Sequence, residues 1–268
     1  TGNGNRIAAS GLTARAATGI AVATTVTSVT AITTGTGAIT LDETDAIVLT
    51  DVTANNGSIA ATAGGALTAT KVVSTTDADA NDITLTGATI AAGQVNAGAQ
   101  GDVFLTATAG AITDLVGEIT ADDVTATSAG AMTLDTTAAE MLRVRAAGAL
   151  AITETDAVAL TDVATTAAGA LAVAAGGDIA ATSVVAANGA ITLTSDGAIT
   201  ATSVVSTTDA DANDITMTGA TITAGQVIAG VEGDVFLTAS AGAITDSVGK
   251  LVAGPISATS AGAMTLDA

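Results

Sequence analysis

The stretch "AANGAITLTSDGAITATSVV", residues 186–205, contains one full period of the pattern that decides the fold. Apolar residues alternate with threonines after each glycine, so that Ile191 and Leu193 share one face and the threonines beside them share the other. Valine, isoleucine and threonine favour strands, and glycine lets the chain turn sharply between them. The stretch therefore predicts three short strands in about 20 residues.

The chain also repeats itself on a larger scale. Residues 74–114 and 206–246 are identical at 35 of 41 positions. The segment "ETDAIVLTDV" at 43–52 returns as "ETDAVALTDV" at 154–163, so the members of this second pair lie closer together in the chain than those of the first. The difference between the two spacings is close to one short period, so a whole period is gained or lost inside a long repeat.

Short units in series are typical of proteins whose strands are satisfied only by the neighbouring unit. We predict an all-β fold, a parallel three-stranded β-helix or β-solenoid, with about 20–22 residues per turn and about twelve turns. A right-handed coil is expected from the general preference of parallel crossovers. We expect one continuous solenoid over 1–268, with long repeats at 19–129 and 130–261 and the start of a third at 262–268.

The composition limits the function. The 268 residues contain no Cys, His, Trp or Tyr and two Phe, and 26 acidic against 6 basic residues give a net charge of −20. Such a charge favours cations as partners and repels nucleic acid and anionic membrane surfaces. We therefore expect no nucleic-acid binding. Because no apolar run is long enough to span a bilayer, we also expect no membrane insertion.

An enzyme is not expected from these residues. A β-helix enzyme acting on acidic polysaccharide would need carboxylates in a cleft, basic side chains for the substrate and aromatic platforms for the sugar rings. Four Arg, two Lys and two Phe provide little of this. A polysaccharide-acting enzyme is therefore a remote alternative, and Ca²⁺ is the one cofactor that the composition suggests.

The repeated segment "TDADAND", at 76–82 and 208–214, is the candidate metal site. Oxygen ligands at alternating positions could bind Ca²⁺, which takes six to eight of them. A solvated acidic corner loop is the alternative, because the ligand order of an EF-hand loop is missing. The candidate ligands are Asp77, Asp79, Asn81, Asp82, Asp209, Asp211, Asn213 and Asp214.

A second pair of acidic clusters is shorter. Asp42, Glu43 and Asp45 form one cluster, and Glu154 and Asp156 form the other. Carboxylates stacked in consecutive turns would repel each other unless they are screened or bridged by a cation. These clusters are a weaker candidate for a cation site.

The two phenylalanines, Phe104 and Phe236, occupy equivalent places in the long repeats. Alternation places Val103 and Leu105 inside and leaves Phe104 outside. An exposed aromatic ring predicts a contact with a neighbouring molecule. The alternative is a ring tucked under the acidic loop.

The only basic pair is Arg143 and Arg145, in the segment "MLRVR". Alternation makes both point away from Leu142 and Val144. Against an acidic partner surface the pair could set the register of a lateral contact, and a solvated edge is the alternative.

The segments "GDVFLTATAGAITD" at 101–114 and "GDVFLTASAGAITD" at 233–246 resemble the filamentous-haemagglutinin-like repeats of giant bacterial surface and secreted proteins. The similar pattern covers most of residues 37–267. This resemblance implies a right-handed β-helix, export to the cell surface, and a role in adhesion, biofilm matrix or surface layers. Because unrelated surface proteins share such repeats, the resemblance is specific for architecture rather than for activity.

Together, the repeats and the resemblance predict a structural extracellular repeat protein at the bacterial surface. We expect a segment of a fibre, sheath, S-layer or adhesin stalk that assembles through lateral or end-to-end contacts. Its expected partners are copies of itself, other surface proteins, or cell-surface or matrix polysaccharide. The alternative is a calcium-dependent adhesion module, which differs mainly in the acidic loops.

Overall fold

The computed structural model describes residues 6–246 and 249–266. Within these residues the chain is all-β and contains no helix. The strands are parallel and stacked, and they form about 13 turns of β-solenoid, slightly more than the spacing in the sequence predicts. The predicted fold class is therefore confirmed, and the handedness of the coil stays a prediction.

The described residues group into two compact units. The first unit contains residues 6–130 and 134–138, and the second contains residues 131–133 and 139–266 apart from 247–248. Whether one solenoid runs through 1–268, with the repeat boundaries given above, stays a prediction. Three parts of that range lie outside the described residues, including the end of the expected third repeat: 1–5, 247–248 and 267–268.

Most strands are short. The strands of the first unit are β1 (Ile7–Ala8), β2 (Gly11–Ala16), β3 (Ile20–Thr25), β4 (Ser28–Thr33), β5 (Ile39–Glu43), β6 (Ile47–Ala54), β7 (Ile59–Ala63), β8 (Leu67–Ser74), β9 (Ile83–Gly87), β10 (Ile90–Asn96), β11 (Val103–Ala107), β12 (Ile112–Asp114) and β13 (Ile119–Ser128). The strand β14 (Met132–Ala146) has residues in both units. The remaining strands of the second unit are β15 (Leu150–Glu154), β16 (Val158–Leu160), β17 (Val163–Ala168), β18 (Leu171–Ala175), β19 (Ile179–Ala181), β20 (Val184–Asn188), β21 (Ile191–Ser195), β22 (Ala198–Ser206), β23 (Ile215–Gly219), β24 (Thr221–Ile228), β25 (Val235–Ala239), β26 (Ile244–Asp246), β27 (Leu251–Val252), β28 (Ile256–Ser260) and β29 (Met264–Thr265).

Strands pair in parallel with strands about one turn away along the chain. Ile39 pairs with Ile59, and in the second unit Leu150 pairs with Leu171. Both steps along the chain have the length that the sequence predicts for one turn. Ile59 pairs with Ile83, a step that is a few residues longer. Most turns therefore have the predicted length, and the turn that contains the acidic loop is longer.

A typical turn has three faces. In one turn of the first unit, β7 forms the first face, and β8 forms the second face with residues 67–69 and the third face with residues 72–74. Between them Thr70 is exposed and Lys71 is half-buried, so two successive side chains point outward. The strand bends at this point, and the alternation of buried and exposed residues resumes in a new phase.

Three corners separate the faces. The glycine corner, Gly64–Gly65 in this turn, joins the first face to the second, and the bend corner is Thr70–Lys71. The loop corner, residues 75–82, joins the third face to the first face of the next turn. The same three names apply to the equivalent places in the other turns.

Stacked aliphatic side chains fill the interior. Ile39, Ile59 and Ile83 occupy the same place in successive turns, and all three are fully buried. Full burial of one such side chain stabilises the fold by about 1.5–3 kcal/mol. Because similar aliphatic contacts recur from turn to turn, the interior is filled with few aromatic residues.

Candidate functional site

The two acidic loops lie at loop corners of equivalent turns. Residues 75–82 connect β8 to β9, and residues 207–214 connect β22 to β23. The pairing that encloses the first loop joins Ile59 to Ile83, a longer step along the chain than the next one, from Ile83 to Val103. The second loop shows the same contrast with the turn that follows it. Each acidic loop is thus an insertion of a few residues at one corner, placed directly before a first-face strand as expected.

A buried asparagine closes each loop. Asn81 is 3% exposed, and its Nδ2 donates hydrogen bonds to the carbonyl oxygen of Thr76 at 2.7 Å and to Oδ1 of Asn56 at 3.1 Å. Asn213 donates the same two bonds in the second copy, at 2.7 and 3.0 Å. These amide nitrogens therefore tie the loop to itself and to the preceding turn.

Two aspartates of each loop accept hydrogen bonds from the following turn. Oδ1 of Asp77 accepts from the backbone N–H of Gln100 at 2.9 Å. Oδ1 of Asp82 accepts from the backbone N–H of Asp102 at 3.1 Å. Carboxylates that accept backbone bonds in this way hold consecutive turns together at the corner.

The second copy repeats this geometry. Asp209 and Asp214 accept the equivalent backbone bonds at 2.8 and 2.9 Å. Gly98 and Gly230 follow in left-handed backbone, with φ of +90° and +89°, and a Cβ on either would overlap Oδ1 of the aspartate beside it. Glycine is therefore required for the close approach of each next turn to its aspartate.

The remaining aspartates of the loops, Asp79 and Asp211, are exposed. Among the described residues, neither loop brings three of its carboxylates within common ligand distance. The calcium site predicted at the eight loop residues therefore stays a prediction. What the structure does give to Asp77, Asn81 and Asp82, and to their counterparts, is hydrogen bonds between and within turns.

Three carboxylates do meet at the same corner, one and two turns further on. Single oxygens of Asp102, Asp122 and Asp123 lie within 4.8 Å of one another. The backbone N–H of Asp123 donates to Oδ1 of Asp102 at 3.3 Å, which continues the ladder that starts at Asp82. Burial raises the pKa of Asp102; the bond from Asp123 lowers it, and the charges of Asp82, Asp122 and Asp79 raise it further.

This cluster, the Asp102 cluster, has no counterpart in the second copy. The positions equivalent to Asp122 and Asp123 hold Gly254 and Pro255. The sequence contained a signal, because Asp102 and Asp123 are separated by one turn of chain. A search for ligand residues within a single loop of the sequence cannot find the Asp102 cluster, because its members come from consecutive turns.

The shorter acidic clusters are built around a buried glutamate at the glycine corner. Oε2 of Glu43 accepts from the N–H of Val26 at 2.7 Å and from the hydroxyl of Thr24 at 2.9 Å, and Oε1 accepts from the N–H groups of Thr44 at 2.8 Å and Asp45 at 3.2 Å. Burial, the largest single influence, would raise the pKa of Glu43, but the hydrogen bonds together lower it. This carboxylate is satisfied without a cation.

In other turns, different side chains form the hydrogen bonds at the glycine corner. Glu154 is buried like Glu43, and its Oε1 accepts from the N–H of Thr155 at 3.0 Å. In three further turns a serine hydroxyl donates to a glycine carbonyl one turn earlier, at 2.7–2.9 Å: Ser128, Ser195 and Ser260. The repulsion expected between the carboxylates of Asp42, Glu43 and Asp45 is also reduced, because Asp42 forms an ion pair with Arg6 at 2.9 Å.

The phenylalanines lie on the outer side of the first face. Val103 and Leu105 are buried and Phe104 is half-buried, as the alternation predicts. Phe236 is 37% exposed. Both rings lie between threonine or serine residues of the adjacent turns. Their role in contacts with another molecule stays a prediction.

The basic pair points outward, but the expectation for Leu142 is wrong. Leu142 is 40% exposed rather than buried, because β14 bends there as β8 does at its bend corner. Arg145 forms an ion pair with both carboxylate oxygens of Asp162, at 2.5 and 2.7 Å. Arg143 is exposed, so of the two it is the better placed to meet a partner.

Comparisons with known proteins add no further information to this geometry. No family model, no curated protein and no solved structure matches the chain. Among the described residues, no helix is present that could serve as a membrane span.

Proposed function

We propose that this chain is a structural segment of an extracellular or cell-surface bacterial protein. It acts as part of a fibre, sheath, S-layer or adhesin stalk and makes contacts through its outer faces. The observation that carries the proposal is the use of the polar residues. The buried asparagines, the corner aspartates and the buried glutamates accept or donate hydrogen bonds between and within turns, so these side chains serve the stack itself.

The resemblance to filamentous-haemagglutinin-like repeats supports the same proposal. Those repeats occur in giant bacterial surface and secreted proteins, and the β-solenoid fold of this chain agrees with that architecture. We propose copies of the chain, other surface proteins, and cell-surface or matrix polysaccharide as partners. A net charge of −20 argues against a polyanion such as nucleic acid.

Assembly of the purified chain tests this role. Sedimentation velocity over a concentration series, followed by negative-stain imaging, should show self-association into filaments or sheets. Raising the salt concentration should strengthen association, because it screens the repulsion between chains of high net charge. Discrete monomers at every concentration and salt level would contradict an assembling structural role.

A calcium-dependent adhesion module is the second candidate, and the Asp102 cluster is the observation that favours it. Three carboxylates within 4.8 Å of one another could supply part of the oxygen shell of Ca²⁺. They would also repel each other less when a cation lies between them. This candidate places calcium at Asp102, Asp122 and Asp123 rather than inside the "TDADAND" loops.

Thermal unfolding with and without calcium separates the two candidates. A calcium-binding module should gain about 2.7 kcal/mol of stability at a free calcium concentration of about 100 times Kd. The gain should disappear in the double variant Asp122→Asn and Asp123→Asn and persist in Asp234→Asn, a change at the equivalent corner of the second copy. Equal melting temperatures in calcium and in EDTA would contradict the calcium-dependent module and favour a structural role that needs no calcium.

A further inference from the structure

The outer side of the third face differs between the two long copies. In the first unit, four outward residues stack in consecutive turns and three of them are polar: Thr53, Val73, Asn96 and Thr120. In the second unit, the residues at the equivalent positions stack in the same way and form what we call the apolar column: Val185, Val205, Ile228 and Val252. All eight side chains are half-buried, so water reaches both columns.

One of these replacements falls in a segment that is otherwise nearly unchanged between the copies. Over 74–114 and 206–246 the copies differ at only six positions, and the pair Asn96 and Ile228 is one of them. Oδ1 of Asn96 accepts a hydrogen bond from the N–H of Gly98 at 2.9 Å, which Ile228 cannot do. The second copy has therefore exchanged a local hydrogen bond for an outward apolar side chain, which gains little while it faces water.

The neighbouring column at the bend corner changes in the same direction. In the first unit it holds two acidic residues, a lysine and a glutamine: Asp51, Lys71, Gln94 and Glu118. In the second unit the matching residues carry no carboxylate: Ser183, Ser203, Gln226 and Lys250. In a chain with a net charge of −20, this part of the third face has thus become a strip without acidic side chains.

We infer that the apolar column of the second unit is a contact surface for the apolar column of a second copy of this chain. Its side chains recur at the spacing of the turns, about 4.8 Å, so the partner must offer apolar groups at the same spacing over several turns. A second copy offers that spacing, as identical strands do when their side chains interdigitate. Two strongly acidic chains also meet with least repulsion where neither presents a carboxylate.

The contact is small. Four turns at about 4.8 Å, with a column about 10 Å wide, give roughly 200 Å² per partner, against about 800 Å² in a typical stable complex. A single pair of columns therefore forms a weak dimer that depends on concentration. The inference rests on the proposed structural role, because it names the face through which lateral association occurs.

Disulfide trapping tests the column, since the chain contains no cysteine of its own. Val205→Cys places a thiol in the apolar column, and Val73→Cys is the matched control, with the same original residue at the same place in the first unit. Under mild oxidation at high salt, we expect severalfold more disulfide-linked dimer from Val205→Cys. Adding Ile228→Asn, which restores the residue of the first copy, should reduce the yield to that of the control.

The outcomes separate this inference from the proposed function. Equal dimer yields at the two positions would overturn the inference. If the unmodified chain still sediments as an assembly, the structural role stands and another face makes the contact. If the unmodified chain sediments as a monomer and the dimer yields are equal, both the contact surface inferred here and the proposed structural role are contradicted. An excess of Val205→Cys dimer that persists when a neutral polysaccharide is added supports the column as the contact between copies.

Discussion

The two acidic corners are nearly the same in sequence and geometry, yet their surroundings differ. Asn81 and Asn213 donate matching hydrogen bonds, and the aspartates beside them accept matching bonds from the following turn. Two turns later the first copy has Asp122 and Asp123, where the second copy has Gly254 and Pro255. The corner itself therefore folds without the Asp102 cluster, and the extra carboxylates are an addition to a complete structural element.

The difference teaches that acidic residues have two separate roles at the corners. A carboxylate that accepts backbone N–H bonds is stabilised, and its charge costs little. A carboxylate stacked against others is destabilised, first by burial and then by repulsion, as the raised pKa of Asp102 shows. Changes at matched positions of the two copies can separate these roles.

Glu43→Gln should have the largest effect, because five groups donate hydrogen bonds to the Glu43 carboxylate. Its folded pKa lies below 4.5, so its stabilising contribution is complete above pH 4.5 and is lost as the pH falls through the folded value. We expect a loss of about 1.5–3 kcal/mol at pH 7. Denaturant unfolding of the variant and of the original chain at pH 7 and pH 3 checks this, and an equal loss at both pH values would contradict it.

Asn81→Ala and Asn213→Ala should come next, with equal losses. Each removes two partly buried hydrogen bonds and leaves two acceptor oxygens without their donor, at a cost of about 1–3 kcal/mol. Hydrogen exchange resolved by residue should show loss of protection in the turn that carries the change. A much larger loss in one copy would break the equivalence of the two corners.

Gly98→Ala and Gly230→Ala should each cost about 1–2 kcal/mol from the left-handed backbone alone. Each added methyl group would also displace the neighbouring aspartate, Asp77 or Asp209, from its backbone donor. Melting temperatures of the two variants measure the effect. Gly254→Ala is a suitable control, because its backbone is not left-handed and its surroundings are more open.

Asp102→Asn should have the smallest effect, with the opposite sign. Because the folded pKa of Asp102 is raised above 3.8, its charge destabilises the fold above the folded value, and the cost disappears as the pH falls through it. The amide keeps an oxygen that can accept from Asp123, so we expect a gain of up to about 1 kcal/mol at pH 7 and none near pH 3.

Asp234→Asn is the matched control for this change, since Gly254 and Pro255 lie in the turn after it. Denaturant unfolding at both pH values should show the gain only for the first copy. A gain of the same size from Asp234→Asn would show that the Asp102 cluster is not its cause.

Much of the fold could be predicted from the sequence, because alternation and glycine spacing report on single strands and single corners. Val103 and Leu105 are buried where alternation places them. The prediction for Leu142 is wrong, because the alternation changes phase at a bend corner that no glycine or proline marks. The course of a bend depends on the turns above and below it.

The candidate site is harder to predict for the same reason. Which carboxylates meet depends on the register between turns, and Asp102 and Asp123 become neighbours only when that register is known. The burial of Glu43 also could not be read from its own segment, because one of its main donors, Val26, lies in the preceding turn. Contacts across turns are where local patterns carry least information.

Amide exchange at the acidic corners tests the central claim most directly. The N–H groups of Gln100 and Asp102 in the first copy, and of Glu232 and Asp234 in the second, donate to loop aspartates. Measured by NMR in EDTA at pH 7, all four should be protected from exchange, to a similar degree in the two copies. Exchange at the rate of free amides in EDTA, with protection gained only on addition of calcium, would show that the corners are built by a metal ion and not by the chain.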